Sequence, residues 1–268
     1  MTMTQTQYPR ARKRFGQNFL HDEGIIDAIV EAISPSKGQH LVEIGPGRGA
    51  LTKPLLARCD WLDVIELDRD LIPLLQKQLQ QPHLNIHEAD ALRFDYKSLQ
   101  KNNETLRVIG NLPYNITTPL LFHLLEQGDC IEDMCFMLQR EVVERICAQP
   151  GNKQYGRLSI MMQHQCQAEL LFTVPPEAFE PAPKVESAII YLQPLKQRVG
   201  GEVDLEMMNK VVTAAFNQRR KTIANTLKNM ISVEDIEQLG IDPTQRPETI
   251  SVTAFVKLTK TYMQKQQT

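Results

Sequence analysis

The tetrapeptide Asn111-Leu112-Pro113-Tyr114 follows the short apolar run 106–109, and its residue types in that order fit a pocket for an amino group. An exocyclic amine conjugated to a purine ring is a poor nucleophile, because its lone pair is delocalised into the ring. The side-chain oxygen of Asn111 and the backbone carbonyl of Leu112 can each accept one amine N–H. That favours the pyramidal nitrogen that forms as the lone pair attacks an electrophile. Pro113 stiffens the turn by fixing φ and restricting the residue before it. Tyr114 offers a flat face for a base drawn out of its stack. The tetrapeptide also reads as an ordinary strand-to-helix turn, since Thr117-Thr118-Pro119 continues as a helix start, so its meaning depends on its surroundings.

Upstream, His40-Leu41-Val42-Glu43-Ile44 reads as a short buried strand, and Gly45-Pro46-Gly47-Arg48-Gly49 follows before a helical run at 50–58. Strand, glycine turn and helix in that order make a ligand loop, with glycine where backbone must approach a ligand closely or take positive φ. The same letters satisfy a dinucleotide fingerprint with Ala50 in its last position, so the loop alone does not choose between nicotinamide, flavin and adenosyl-methionine cofactors. Glu66 lies near the end of the next strand candidate, 61–67, about twenty residues past the first glycine, where a carboxylate can hold both hydroxyls of a ribose. Asp90 follows the run 84–87. Taken singly, Glu66 and Asp90 also fit solvated loop carboxylates or helix caps, a reading that suits Asp68 and Asp70 better. Taken together, four motifs stand at four successive strand ends, where ligands bind in an open parallel sheet.

The elements that must position these groups follow from periodicity. Residues 22–33 have helical spacing at Ile25, Ile26, Ile29, Val30 and Ile33, with Asp22 as cap. Strand candidates are 40–44, 61–67, 84–87, 106–109, 134–139, 166–174 and 186–193, with helical stretches separating the first five. That alternation predicts a parallel sheet, with the last two strands as a terminal antiparallel pair joined by a proline-rich segment. The polar run 194–201 is the best linker, which divides the chain into 1–194 and a helical unit 195–268. In the latter, Met207, Val211, Val212, Ala215 and Phe216 form an apolar stripe of the kind that builds a core.

The combination of Phe15-Gly16-Gln17-Asn18-Phe19-Leu20, Glu43-Ile44-Gly45-Pro46-Gly47-Arg48-Gly49, Glu66, Asp90 and Asn111-Leu112-Pro113-Tyr114 resembles the ribosomal RNA adenine dimethyltransferases. Phe179-Glu180-Pro181-Ala182-Pro183-Lys184-Val185-Glu186-Ser187 is similar to a segment that this family shares with the macrolide-resistance RNA methyltransferases, whereas Phe216-Asn217-Gln218-Arg219-Arg220-Lys221-Thr222 is similar to the small-subunit branch. The likeness covers nearly the whole chain. It implies an α/β, Rossmann-like class I methyltransferase sheet of seven strands, mostly parallel, with a small all-helical C-terminal domain. The implied donor is S-adenosyl-methionine, released as S-adenosyl-homocysteine, and no metal is required. Carried over by residue, Asn18 and Leu20 line the methionine end of the cofactor, Gly45 and Gly47 form its backbone turn, Glu66 holds the ribose and Asp90 the adenine amine. Asn111 belongs to both the cofactor-binding and the catalytic set, the latter with Leu112, Pro113, Tyr114 and, as second stacking face, Phe179. The prolines around Phe179 also fit a core plug that anchors a stiff loop. The implied substrate is small-subunit ribosomal RNA within a partly assembled subunit, at two adjacent adenosines of its 3′-terminal hairpin loop.

Composition sets bounds on these readings. The chain has 268 residues, 42% of them hydrophobic, enough for one large α/β core and a smaller unit. Its apolar segments are too short and interrupted to span a membrane. Cys59, Cys130, Cys135, Cys147 and Cys166 have no close-pair metal spacing and read as reduced, mostly buried thiols. Net charge is only -2, but basic residues are segregated: Arg10, Arg12, Lys13 and Arg14 in an N-terminal arm, and Arg219, Arg220 and Lys221, with Lys210 and Lys228, in the helical part. Both patches could grip phosphates, or be solvated faces as most charge runs are. The arm faintly resembles a transit segment, but it runs directly into the segment that the resemblance assigns to the cofactor, so the expectation is a cytoplasmic protein, and the resemblance implies a monomer. Rival readings are a large-subunit resistance methyltransferase, against which the Arg219-Arg220-Lys221 segment argues, and a non-catalytic assembly factor. A third, a dehydrogenase, would lack a hydride-handling group in the stretch 106–114.

Overall fold

Residues 17–101, 104–218 and 220–266 are described in a computed structural model of the chain. In chain order the elements are β1 (Phe19–Leu20), α1 (Glu23–Ile33), β2 (His40–Ile44), α2 (Thr52–Leu56), β3 (Trp61–Glu66), α3 (Ile72–Gln78), β4 (Leu84–Glu88), β5 (Leu106–Asn111), α4 (Thr117–Glu126) and β6 (Ile131–Gln139). They continue with α5 (Arg140–Cys147), α6 (Arg157–Gln163), β7 (Cys166–Val174), β8 (Phe179–Glu180), β9 (Ser187–Pro194), α7 (Leu205–Phe216), α8 (Ile223–Leu227), α9 (Val233–Gln238) and α10 (Val252–Gln266).

Runs such as Leu41-Val42 and Val108-Ile109 are apolar on consecutive residues, so both strand faces must be covered, and β2 is buried at every position. These strands form the centre of a seven-stranded sheet of order β4-β3-β2-β5-β6-β9-β7. Pairing is parallel from β4 through β6, and β9 lies antiparallel to β6. All seven expected strands are present. The expectation of a terminal pair is corrected in one respect: the last strand of the chain is inserted between β6 and β7, which leaves β7 at the edge. The connection between β4 and β5 carries a 3-10 turn at Tyr96–Leu99 where an α-helix was expected. The chain winds outward from β2 in one direction and then from β5 in the other. The crevice between these strands at their carboxyl ends is therefore the topological switch point of the sheet.

Two buried polar groups fix strand register. Asp63 of β3 is bonded to His40 Nε2 and His87 Nε2, each at 2.5 Å, and accepts from Trp61 Nε1 at 2.9 Å and Asn85 Nδ2 at 3.1 Å. Burial alone would raise the proton affinity of Asp63, yet its bonds to His40, His87 and Asn85 hold the carboxyl well below the usual range. Arg107 of β5 donates to Asp133 of β6 at 3.0 Å and to the Ile33 carbonyl at 2.8 Å, which ties the end of α1 to the sheet. Asp22 caps α1 as expected, accepting from the Ile25 N–H at 2.9 Å.

Two compact units are found, one of Met1–Arg140 with Leu170–Gln193, the other of Glu141–Glu169 with Pro194–Thr268. This division groups Glu141–Glu169 with the helical elements, whereas the sequence reading draws one boundary after residue 194. In the second unit the Tyr155 hydroxyl donates to the Ile250 carbonyl at 3.0 Å and Arg157 Nε to Asn209 Oδ1 at 2.6 Å, both across long stretches of chain. Within α7 the buried stripe is Met208, Val211, Val212 and Ala215; Met207, expected inside, is half-buried, and Phe216 packs on Phe255 with ring centroids 6.0 Å apart.

Candidate active site

At the carboxyl ends of β2, β3, β4 and β5 lies a cavity of about 350 Å³, within the range of small-molecule sites. The turn after β2 takes φ of +66° at Gly45 and +58° at Gly47, which disfavours any residue with a Cβ. A Cβ on Gly47 would also stand 3.3 Å from the Phe19 ring, over which the Arg48 guanidinium sits at 4.2 Å. The Gly47 N–H donates to Glu66 Oε2 at 3.3 Å and the Asp68 N–H to Glu66 Oε1 at 2.8 Å, so the glycine turn is tied to the end of β3. Burial pushes the Glu66 carboxyl above its ordinary value, with these N–H groups opposing the shift.

Asp90 lies on the cavity wall and also caps its own turn, accepting the Leu92 N–H at 3.0 Å. Beneath it Tyr96 is fully buried and donates to the Ala91 carbonyl at 3.1 Å. Asn18 and Leu20 belong to a strap: β1 pairs antiparallel with β8, and Gln17 Nε2 donates to the buried Asp68 at 2.9 Å. The Asn18 carbonyl accepts from Asn111 Nδ2 at 3.2 Å. This bond spends the donor end of the Asn111 amide on the strap and fixes which end of the amide is the acceptor.

Leu112 is buried and its N–H donates to the Met137 carbonyl at 3.1 Å, while Pro113 accepts the Ile116 N–H at 3.2 Å. Tyr114 is bonded through its hydroxyl to Ser187 Oγ at 3.0 Å. Burial raises the Tyr114 phenol above its ordinary value, the Ser187 bond opposing. Phe179 is 4% exposed, lines the cavity and shares a core cluster with Leu20, Ile109 and Met137, so it serves as a plug as well as a wall.

The structure thus brings Asn18, Leu20, Gly45, Gly47, Glu66, Asp90, Asn111, Leu112, Pro113, Tyr114 and Phe179 onto one cavity. Of the residues expected to grip RNA, Arg220 and Lys221 are exposed in the turn between α7 and α8. Arg10, Arg12, Lys13, Arg14 and Arg219 lie outside the described residues, as does the start of the Phe15 to Leu20 motif. Among the described residues no cluster of three or more histidine, cysteine or acidic side chains could hold a metal ion, and no two cysteines form a disulfide. Burial pushes the Cys135 and Cys166 thiols up to about 12.

Sequence reasoning missed Gln17, Ser187 and the chemical state of Glu43. Glu43 was visible as an acidic residue inside an apolar strand. It is 2% exposed, lines the cavity, and its Oε2 has no hydrogen-bond partner among the described residues. Burial raises its pKa to about 7, opposed by the Thr52 hydroxyl beside it and reinforced by the charge of Glu66. The folded value lies above the unfolded one, so folding takes up a proton between about pH 4.5 and pH 7. Stability should fall with rising pH across that window, by no more than about 1.4 kcal/mol per pH unit for one proton. The Glu43→Gln variant should lose this slope in urea titrations run from pH 5 to pH 8. An unchanged slope would place the ionisation elsewhere.

Comparison with known proteins adds the following. The family model described as ribosomal RNA adenine dimethylase matches residues 9–264. The chain is 56% identical over 257 residues to the ribosomal RNA small subunit methyltransferase A of Pseudomonas aeruginosa, covering 96% of both chains. It is 51% identical to that of Marinomonas sp. over 265 residues, 98% of this chain and all of the relative. Among solved structures it is similar to a dimethyladenosine transferase from Plasmodium falciparum, with a TM-score of 0.78, 24% identity and coverage of 92% of this chain and 98% of the other. A 23S rRNA methyltransferase, ErmE, gives a TM-score of 0.72 at 24% identity, covering 91% of this chain and 98% of the other. Both structural likenesses bear on the fold alone.

Proposed function

The chain belongs to the ribosomal RNA adenine dimethylase family, and on that premise we propose that it places two methyl groups on the exocyclic amine of each of two adjacent adenosines in the 3′-terminal hairpin loop of 16S ribosomal RNA. It is an S-adenosyl-methionine-dependent adenine dimethyltransferase acting on small-subunit ribosomal RNA. The observation that carries the assignment of residues is the Asn111 amide, held by the Asn18 carbonyl on the same cavity wall as the glycine turn, Glu66 and Asp90.

S-adenosyl-methionine, when bound, supplies an electrophilic methyl on a sulfonium and leaves as S-adenosyl-homocysteine. The wall suits a ligand with a cationic centre and a ribose. Glu43 presents a buried acceptor with no partner among the described residues, and Glu66 and Asp90 add two further carboxylates. Asn18 and Leu20 would hold the methionine end, Gly45 and Gly47 the turn against it, Glu66 the ribose and Asp90 the adenine amine.

The target adenine leaves its stack and lies between Tyr114 and Phe179. Base stacking on aromatic rings is worth roughly 1 to 3 kcal/mol per base, enough to offset much of the cost of eversion. Asn111 Oδ1 and the Leu112 carbonyl accept the two amine N–H groups, which pyramidalises the nitrogen and frees its lone pair for the methyl. The proton of the methylated amine leaves to water. Arg10, Arg12, Lys13, Arg14 and Arg219, with Arg220 and Lys221 of the turn before α8, supply phosphate contacts. No helix among the described residues is long and apolar enough to cross a membrane. On the strength of the family membership, we read the protein as a cytoplasmic monomer acting on a partly assembled particle.

The test is transfer of labelled methyl to undermethylated small subunits, large subunits and naked small-subunit RNA, followed by nucleoside mass analysis. Dimethyladenosine on the small-subunit particle alone is expected. Label on large-subunit RNA would overturn the substrate assignment, and tight RNA binding without label would overturn the activity.

A further inference from the structure

We propose that Ser187 is a positioning residue for the acceptor base: its hydroxyl holds the Tyr114 ring in the place where the everted adenine stacks, so that one segment, from Phe179 to Ser187, sets both faces of the base clamp. The inference rests on the reading of Tyr114 and Phe179 as stacking faces.

Tyr114 sits in the turn between β5 and α4, where backbone pairing does not fix its ring. A tyrosine ring turns about two side-chain torsions, and the outer one is broad. The phenol oxygen lies on the axis of the outer torsion, so the bond of 3.0 Å between the Tyr114 hydroxyl and Ser187 Oγ pins the swing of the ring about the inner one. Ser187 is well suited to serve as the fixed end. It is 1% exposed and opens β9, paired with Gln139 in the antiparallel ladder to β6. The preceding residue is stapled twice, because the Arg140 N–H donates to the Glu186 carbonyl at 3.0 Å and the Arg140 guanidinium to the Glu186 carboxylate at 2.6 Å.

A hydroxyl buried this completely is costly unless it is bonded, and the bond it makes is to the aromatic residue of the candidate catalytic motif. At the other end of the same segment, Phe179 pairs with Leu20 between β8 and β1 and lines the cavity. The segment thus supplies one aromatic face directly and the other through Ser187.

The test is a double-mutant cycle on the full-length protein with undermethylated small subunits as substrate. Ser187→Ala and Tyr114→Phe should each lower kcat/KM for the particle roughly three- to tenfold, the range of one neutral hydrogen bond, and the double variant should lose no more than either alone. Cofactor affinity by calorimetry should be unmoved in all three, which separates ring positioning from damage to the fold. Ser187→Thr, which keeps the hydroxyl, should recover most of the loss. Additive losses, or a Ser187→Ala variant with full kcat/KM, would overturn the proposal. The Tyr114→Ala variant distinguishes the deeper failure: if it also transfers methyl at the parent rate, Tyr114 is not a stacking face and the underlying reading falls with it.

Discussion

Replacing Asn111 by alanine is expected to slow methyl transfer about 100- to 1,000-fold, the usual cost of removing one group aimed at a developing transition-state charge, while cofactor affinity falls less than about tenfold. Two consequences of the substitution separate physically. The acceptor Oδ1 is lost from the place where the amine must pyramidalise, which removes an interaction strongest in the transition state. The donor Nδ2 is lost from the Asn18 carbonyl, which loosens one tie of the strap beside the cofactor. The first effect appears in single-turnover rate, the second in calorimetric titration with S-adenosyl-methionine. The Asn111→Asp variant retains acceptor oxygens but, when ionised, cannot donate to Asn18, so its cofactor affinity should fall at least as far as that of the alanine variant. A collapse of cofactor binding in Asn111→Ala with intact transfer at saturating cofactor would mean that Asn111 is chiefly a cofactor ligand.

The Gly110→Ala variant should be destabilised by about 3 kcal/mol or more, at the upper end of what overpacking costs. Gly110 pairs with Ile44 across β2 and β5, and a Cβ on it would stand 2.5 Å from the Ile44 carbonyl oxygen. That neighbour is backbone in the centre of the sheet, so no side chain can swing away to relieve the clash. The strands must part where Asn111 follows on one and the glycine turn on the other. Denaturation in urea should show a lower midpoint at unchanged slope, together with reduced transfer by whatever folded protein remains. An unchanged midpoint would show that β2 and β5 can separate at little cost, contrary to the close approach that positions Asn111.

The amino-acid sequence by itself determined the strands, the glycine and proline turns at their ends, and the likeness of Phe216 to Thr222 to the small-subunit branch. Those signals are local: a buried run such as Leu41 to Ile44 and a glycine turn after it lie within ten residues, and stereochemistry acts at that range. Phe179 and Asp90 were legible as candidates; Phe179 fills a core and Asp90 caps a turn, and each also faces the cavity. What only the tertiary structure decided depends on partners far apart in the chain. The Asn18 carbonyl reaches Asn111 across 93 positions and Ser187 reaches Tyr114 across 73. Glu141–Glu169 joins the helical unit, and β9 enters the sheet between β6 and β7, for the same reason. Even the choice of Met208 over Met207 in α7 turns on which neighbour covers that face. Periodicity records which residues must be buried; only the packed chain decides against what, because burial is non-directional and the hydrogen bonds that orient the Asn111 amide or the Tyr114 ring are not.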